Sequence, residues 1–125
     1  MAVADRTTAR RGTTDVMANS IEYRNLSMHY RARGQSVQAL DRTDFRIEDQ
    51  EFMVIVGPSG CGKSTLLHIT AGLQQPTTGD VLIGGQRVLA PGPDKGMVFQ
   101  NFSLFPWKTV FDNIAFGLRI NGVAR

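Results

Sequence analysis

Phe52-Met53-Val54-Ile55-Val56-Gly57-Pro58-Ser59-Gly60-Cys61-Gly62-Lys63-Ser64-Thr65-Leu66-Leu67 is the stretch that decides the fold. Five apolar residues run unbroken into a glycine-rich turn, and the turn runs into a segment of helical period. Residues 57–64 fit the phosphate-loop pattern G-x-x-x-x-G-K-[ST]. Holding phosphate oxygens needs converging backbone N–H groups, a helix N-terminus and a cation. Gly57, Gly60 and Gly62 let the backbone curl around an anion without Cβ clashes. Lys63 supplies a mobile point charge for β- and γ-phosphates, and Ser64 a hydroxyl for Mg²⁺. Thr65 either touches the α-phosphate or packs the helix. Pro58, Ser59 and Cys61 fill the variable positions of the loop. Cys61 is expected to act through its backbone N–H and not its thiol.

Working outward, Leu66, Leu67, Ile69, Thr70 and Leu73 predict a helix that Gly72 stops. The continuous apolar run 52–56 predicts a strand buried on both faces, as in a parallel sheet. The region before it alternates: Ile21 and Tyr23, then Leu26, Met28 and Tyr30, then a second extended stretch over 37–47. Half-exposed antiparallel strands read this way. Residues 31–34 are the expected turn between them. Downstream, Gln75-Pro76-Thr77-Thr78-Gly79 is turn chemistry, Val81-Leu82-Ile83 a strand, and Gly84-Gly85 a turn toward Arg87-Val88-Leu89. Met97-Val98-Phe99 reads as a short strand ending at Gln100. Thr109, with Asp112 three residues on, marks the start of a helix over 110–120, with Gly122 past its end.

Composition sets the class. The chain has 125 residues, 42 % hydrophobic and 20 % charged, with a formal charge of +3. That suits one soluble domain with a modest core; the order of strands and helix, not the composition, makes the expected class α/β. Three arginines, Arg6, Arg10 and Arg11, lie in residues 1–19, which read as a disordered tail; translation from Met17 is an alternative start. No basic stripe interleaves with aromatics, so nucleic acid is not expected as a partner. No apolar run approaches the roughly 18 residues of a membrane span. There is no secretory h-region, and one cysteine fits a reducing compartment. His29 and His68 read as ordinary strand and helix residues.

Over residues 21–123 the chain resembles the ATP-binding subunit of ABC transporters. Four features carry the resemblance in register: Tyr30, the GPSGCGKST loop followed by Leu66-Leu67 and Ala71-Gly72-Leu73, the Pro76-Thr77-Thr78-Gly79 turn, and Met97-Val98-Phe99-Gln100. Ala90-Pro91-Gly92-Pro93-Asp94-Lys95-Gly96 and Leu104-Phe105-Pro106-Trp107 are similar to nitrate, sulfonate and taurine importers, as is NIAFGL over 113–118. Gln50 stands where such subunits usually carry glycine, and Phe105 replaces a usual leucine.

The resemblance implies a P-loop NTPase of ABC type. An antiparallel β-subdomain would flank the loop and its helix, and a helical subdomain would begin after Gln100. It implies ATP and Mg²⁺ as ligands. Tyr30 would be a platform for adenine, or else an inward strand aromatic. Gln100 would bridge Mg²⁺ or the γ-phosphate region to the membrane partner, or else be a polar loop residue. Phe105 and Trp107 would dock that partner or fill a core. The implied partners are transmembrane permease subunits, a second ATP-binding subunit and, indirectly, a solute-binding protein. The implied location is cytoplasmic, peripheral on the inner membrane face. No LSGGQ-like signature, no strand ending in Asp-Glu and no switch histidine follow Gln100, so the chain is expected to match the N-terminal half of such a domain. Little or no ATP hydrolysis is expected of it alone.

Overall fold

A computed structural model describes residues 2–3, 19–32, 34–101 and 104–123. The chain divides into two compact units, Met1–Gly92 and Pro93–Arg125. In the first, strands β2 (Ile21–Ala32) and β3 (Gln35–Ile47) form a long antiparallel hairpin. Gly34 turns it at φ 78, and Ala32 pairs with Gln35. Strand β5 (Thr78–Ile83) joins the other edge of β2, and β6 (Gln86–Arg87) follows β5 around Gly84-Gly85. The order β3-β2-β5-β6 is the expected antiparallel β-subdomain.

The change of phase from Ile21 and Tyr23 to Leu26 and Met28 has a backbone cause. The β2 register shifts between Tyr23 and Leu26, and Asn25 sits at φ 48. Asparagine enters this left-handed region at lower cost than most residues. Its N–H donates to Asp44 Oδ1 at 2.6 Å. The bulge brings the Arg24 and Asn25 carbonyls against Gly79, where a Cβ would lie 2.2 and 2.3 Å from their oxygens. The glycine of the 76–79 turn is therefore demanded by contact with the bulge as well as by its own φ of 76.

The resulting alignment puts Tyr23, Leu26, Met28, Leu40 and Val81 on one face, where they pack with Leu66 and Ile69 of helix α1 (Lys63–Thr70). Leu26 and Leu66 are fully buried, each stabilising the fold by about 1.5–3 kcal/mol. Tyr23 stacks on Phe45 at 4.2 Å between ring centroids. Thr70 Oγ1 donates to Leu66 O at 2.8 Å, so the Tyr23 hydroxyl, 2.8 Å away, donates to Thr70. Helix α1 stops where expected. The Leu73 N–H bonds His68 O, the Gly72 N–H bonds Ile69 O, and Gly72 takes φ 76. This is a Schellman closure.

Three expected strands are shorter or missing. Within 52–56 only Ile55–Val56 is a strand, β4, and it pairs antiparallel with β1 (Ala2–Val3). It is not buried on both faces. Phe52 is 83 % exposed and Val54 and Val56 are open, whereas Met53 and Ile55 are half-buried and Ile55 meets the core. A parallel neighbour for β4 is not found among the described residues, so one apolar face stays uncovered. Residues 97–99 form no strand, and Val98 is 97 % exposed. Of 87–89, only Arg87 belongs to β6, although Val88 still packs on the core. The tail assigned to 1–19 contains β1; residues 4–18, with the Met17 start, lie outside the described residues.

The second unit holds α2 (Val110–Ile114) and α3 (Phe116–Ile120), separated at Ala115, where one helix was expected. Thr109 caps α2 as read: its Oγ1 accepts the Asp112 N–H at 3.1 Å and donates to Asp112 Oδ2 at 2.7 Å. Gly122 closes α3 with the same double bond pattern as Gly72. Asn113 organises the preceding loop. Its Oδ1 accepts the Phe105 N–H at 2.8 Å, and its Nδ2 donates to the carbonyls of Phe105, Lys108 and Thr109 at 3.2, 3.3 and 2.9 Å.

Candidate functional site

Residues 57–62 join β4 to α1, whose first turn begins at Lys63, and the shape of the join follows from three glycines. Gly62 is the N-cap of α1 at φ 96, a conformation that side chains rarely adopt. A Cβ there would also lie 2.3 Å from Ala39 O on β3. Gly60 takes φ 81. At Gly57 the limit is steric, since a Cβ would meet Cys61 Sγ at 2.7 Å. No side chain caps α1 and no acidic residue lies in its first turn. The helix thus presents its N–H groups and positive dipole end with no built-in anion to satisfy them.

Lys63 folds back over the loop. Its ammonium donates to Gly57 O at 2.7 Å and Pro58 O at 2.8 Å, and lies 3.4 Å from Cys61 Sγ. Pro58 O also accepts the Cys61 N–H at 3.4 Å. In this arrangement the Cys61 N–H faces a loop carbonyl and its thiol lies against the lysine. Ser64 is exposed on the first turn and Thr65 is half-buried. The donor set is cationic and rich in N–H groups, and it fits a polyphosphate with an exposed hydroxyl available to Mg²⁺.

The other named residues are described within their own units. Tyr30 is near the end of β2, 40 % exposed, and its hydroxyl donates to Gln74 Oε1 at 2.9 Å. Gln100 is exposed in an irregular segment of the second unit. Phe105 is half-buried between Trp107 and Phe116, with centroids at 5.5 and 4.5 Å, and Lys108 Nζ stands over Phe105 and Phe116 at 5.9 and 5.3 Å. Trp107 itself is 76 % exposed. His29 and His68 are half-buried on β2 and α1.

One participant escaped the sequence reading. Ala39 lies against the loop through its carbonyl, which leaves no side-chain signature. Within the second unit the bonding of Asn113 to residues 105–109 had a signal, because asparagine inside a helix competes for backbone bonds and usually has a local reason.

Comparison with known proteins agrees with this geometry. The ABC transporter family profile matches residues 40–124. An uncharacterized ABC transporter ATP-binding protein of Methanocaldococcus jannaschii is 44 % identical, over 89 % of this chain and 42 % of its own length. The nitrate import ATP-binding protein NrtD of Synechocystis is 48 % identical over 84 % of this chain and 40 % of its own. The taurine import ATP-binding protein TauB of Burkholderia thailandensis is 47 % identical over 80 % and 38 %. Among solved structures, a dimeric ATP-binding cassette in a post-hydrolysis state, bound to ADP and Pi, superposes with a TM-score of 0.72 at 32 % identity, covering 84 % of this chain and 48 % of that one. The chain thus spans well under half the length of these curated relatives.

Proposed function

Since the chain belongs to the ABC transporter family, we propose that it binds Mg-ATP in the loop 57–65, as the phosphate-binding portion of an importer's ATP-binding subunit. One observation carries the reading: an uncapped helix start behind left-handed Gly60 and Gly62, with the Lys63 ammonium held over the loop. In this reading backbone N–H groups of the first turn of α1 hold phosphate oxygens. Lys63 exchanges its carbonyl partners for the phosphates, and Ser64 offers its hydroxyl to Mg²⁺. Gly57, Pro58, Ser59, Cys61 and Thr65 shape and line the cradle. Bound Mg-ATP supplies a phosphoryl group whose transfer is governed by positioning and charge stabilisation.

Tyr30 offers a half-open ring for the adenine, and Gln100 a second contact for the metal. The solute class proposed is a nitrate- or taurine-like small molecule, from the names of the two importer relatives and the segments 90–96 and 104–107. The proposed partners are permease subunits, a second ATP-binding subunit and, indirectly, a solute-binding protein. The proposed location is the cytoplasmic face of the membrane; among the described residues no helix is long and apolar enough to cross it.

The test is the melting temperature of the chain with and without Mg-ATP, beside Lys63→Ala. A ligand that binds only the folded state at 100 times its Kd adds about 2.7 kcal/mol. The expected result is a rise in the wild type that Lys63→Ala abolishes. No rise in a chain that melts cooperatively, or an equal rise in both, overturns the proposal.

A further inference from the structure

The segment between helix α1 and strand β5 does more than turn the chain. Gln74 lies two positions past Gly72, where α1 closes, and its Oε1 accepts the Tyr30 hydroxyl at 2.9 Å. Thr77, three residues on, holds the neighbouring backbone. Its Oγ1 accepts the His29 N–H at 2.9 Å, and its own N–H donates to Ser27 O at 2.9 Å. Side chain and backbone near the end of β2 are thus fastened to a segment continuous with the helix of the phosphate loop. Strand β3 makes a second link. Tyr30 pairs with Val37, and the register shift between Met28 and His29 leaves Ala39 as an extra residue of β3. It is the Ala39 carbonyl that lies against Gly62, the N-cap of α1. Strand spacings put Tyr30 about 8 Å from Ala39 between Cα atoms, a separation that a nucleoside triphosphate covers between its phosphates and its base. Tyr30 continues on β2 the alternation of Leu26 and Met28, so its ring lies on the face that carries α1.

We propose that Gln74 is a positioning residue for base recognition: by accepting the Tyr30 hydroxyl it holds the ring in one orientation before a nucleotide arrives. This rests on the reading of loop 57–65 and Tyr30 as a nucleotide site. A half-open tyrosine with no partner for its hydroxyl has to be ordered when a base stacks on it. Ordering one such side chain weakens binding by about three- to tenfold, a loss that a ring already held escapes. The bond uses the hydroxyl at the rim of the ring, in its plane, and leaves the π faces to a base. Thr77 fixes the strand backbone beside the ring, and Gln74 fixes the ring itself.

The test titrates the full chain with Mg-ATP and with magnesium tripolyphosphate, which carries the phosphates without the base. Gln74→Leu removes the acceptor at similar size, and Tyr30→Phe removes the donor while keeping the ring. Each is expected to weaken Mg-ATP by about three- to tenfold, with the tripolyphosphate affinity of Gln74→Leu unchanged. The double variant is expected to bind no more weakly than either single one, because both changes remove the same bond. Full-strength Mg-ATP binding by Gln74→Leu, a loss equal for the two ligands, or losses that add in the double variant overturn the positioning role. Should Gln74→Leu fail to fold, Tyr30→Phe decides: a loss confined to Mg-ATP supports the proposal, and an unchanged affinity overturns it. Two further outcomes separate this proposal from the reading beneath it. Mg-ATP affinity unchanged in Tyr30→Ala overturns the base platform, and the role of Gln74 with it, while the loop reading stands. Binding of neither ligand by the wild type overturns the loop reading and the proposal together.

Discussion

At the residue scale, the departure at Gln50 proves to be a backbone matter. Residues 48–51 close a turn in which the Glu51 N–H bonds Glu48 O at 3.1 Å, and Gln50 takes φ 61. A left-handed non-glycine residue costs about 1–2 kcal/mol, and glycine returns about 0.4–1 of that by loosening the unfolded chain. Gln50→Gly should therefore stabilise the chain by about 0.5–1 kcal/mol, read from urea unfolding. Tyr23 gives a second prediction. Burial raises its phenol above 10, against the smaller opposing pull of the Thr70 bond. A raised folded value means stability is fully present below pH 10 and is lost as pH climbs through the folded value. Unfolding curves in that alkaline window should fall more steeply for the wild type than for Tyr23→Phe. The phosphate loop was legible residue by residue because its chemistry dictates its letters. The lysine's loop partners and the Ala39 contact were not, because they run through backbone carbonyls that any sequence supplies.

At the scale of elements, legibility followed local chemistry. The hairpin, α1 with its glycine stop, the Thr109 cap and the Gly122 stop all rest on residues near in sequence, and all appear. The segments 52–56 and 97–99 depend on neighbours instead. A strand buried on both faces cannot be assembled from the strand alone, and their exposed side chains register the lack of neighbours among the described residues. The division of 110–120 at Ala115 had no breaker to announce it. The loop ahead of α2 hangs on one side chain, since Asn113 makes four bonds across residues 105–109. Asn113→Ala should cost this unit about 1–3 kcal/mol. The expected sign is a loss of near-ultraviolet ellipticity from Trp107, with far-ultraviolet signal from the sheet retained.

At the scale of the molecule, the family match and the glycine-shaped start of α1 lie in one stretch of chain, and the proposed reading rests on that stretch. The expected outcome is Mg-ATP binding that Lys63→Ala weakens by about tenfold or more, read by equilibrium titration. The uncovered apolar surface has a thermal consequence as well. Phe52, Val98, Trp107, Val110 and Ile114 are already hydrated in the folded state, so the apolar surface that unfolding newly exposes is mainly that of the β2, β3, β5 and α1 core. The heat-capacity increment should fall below the usual ~12–15 cal/mol/K per residue. Stability then varies with temperature along a flatter curve than is usual, so cooling does little to weaken the chain.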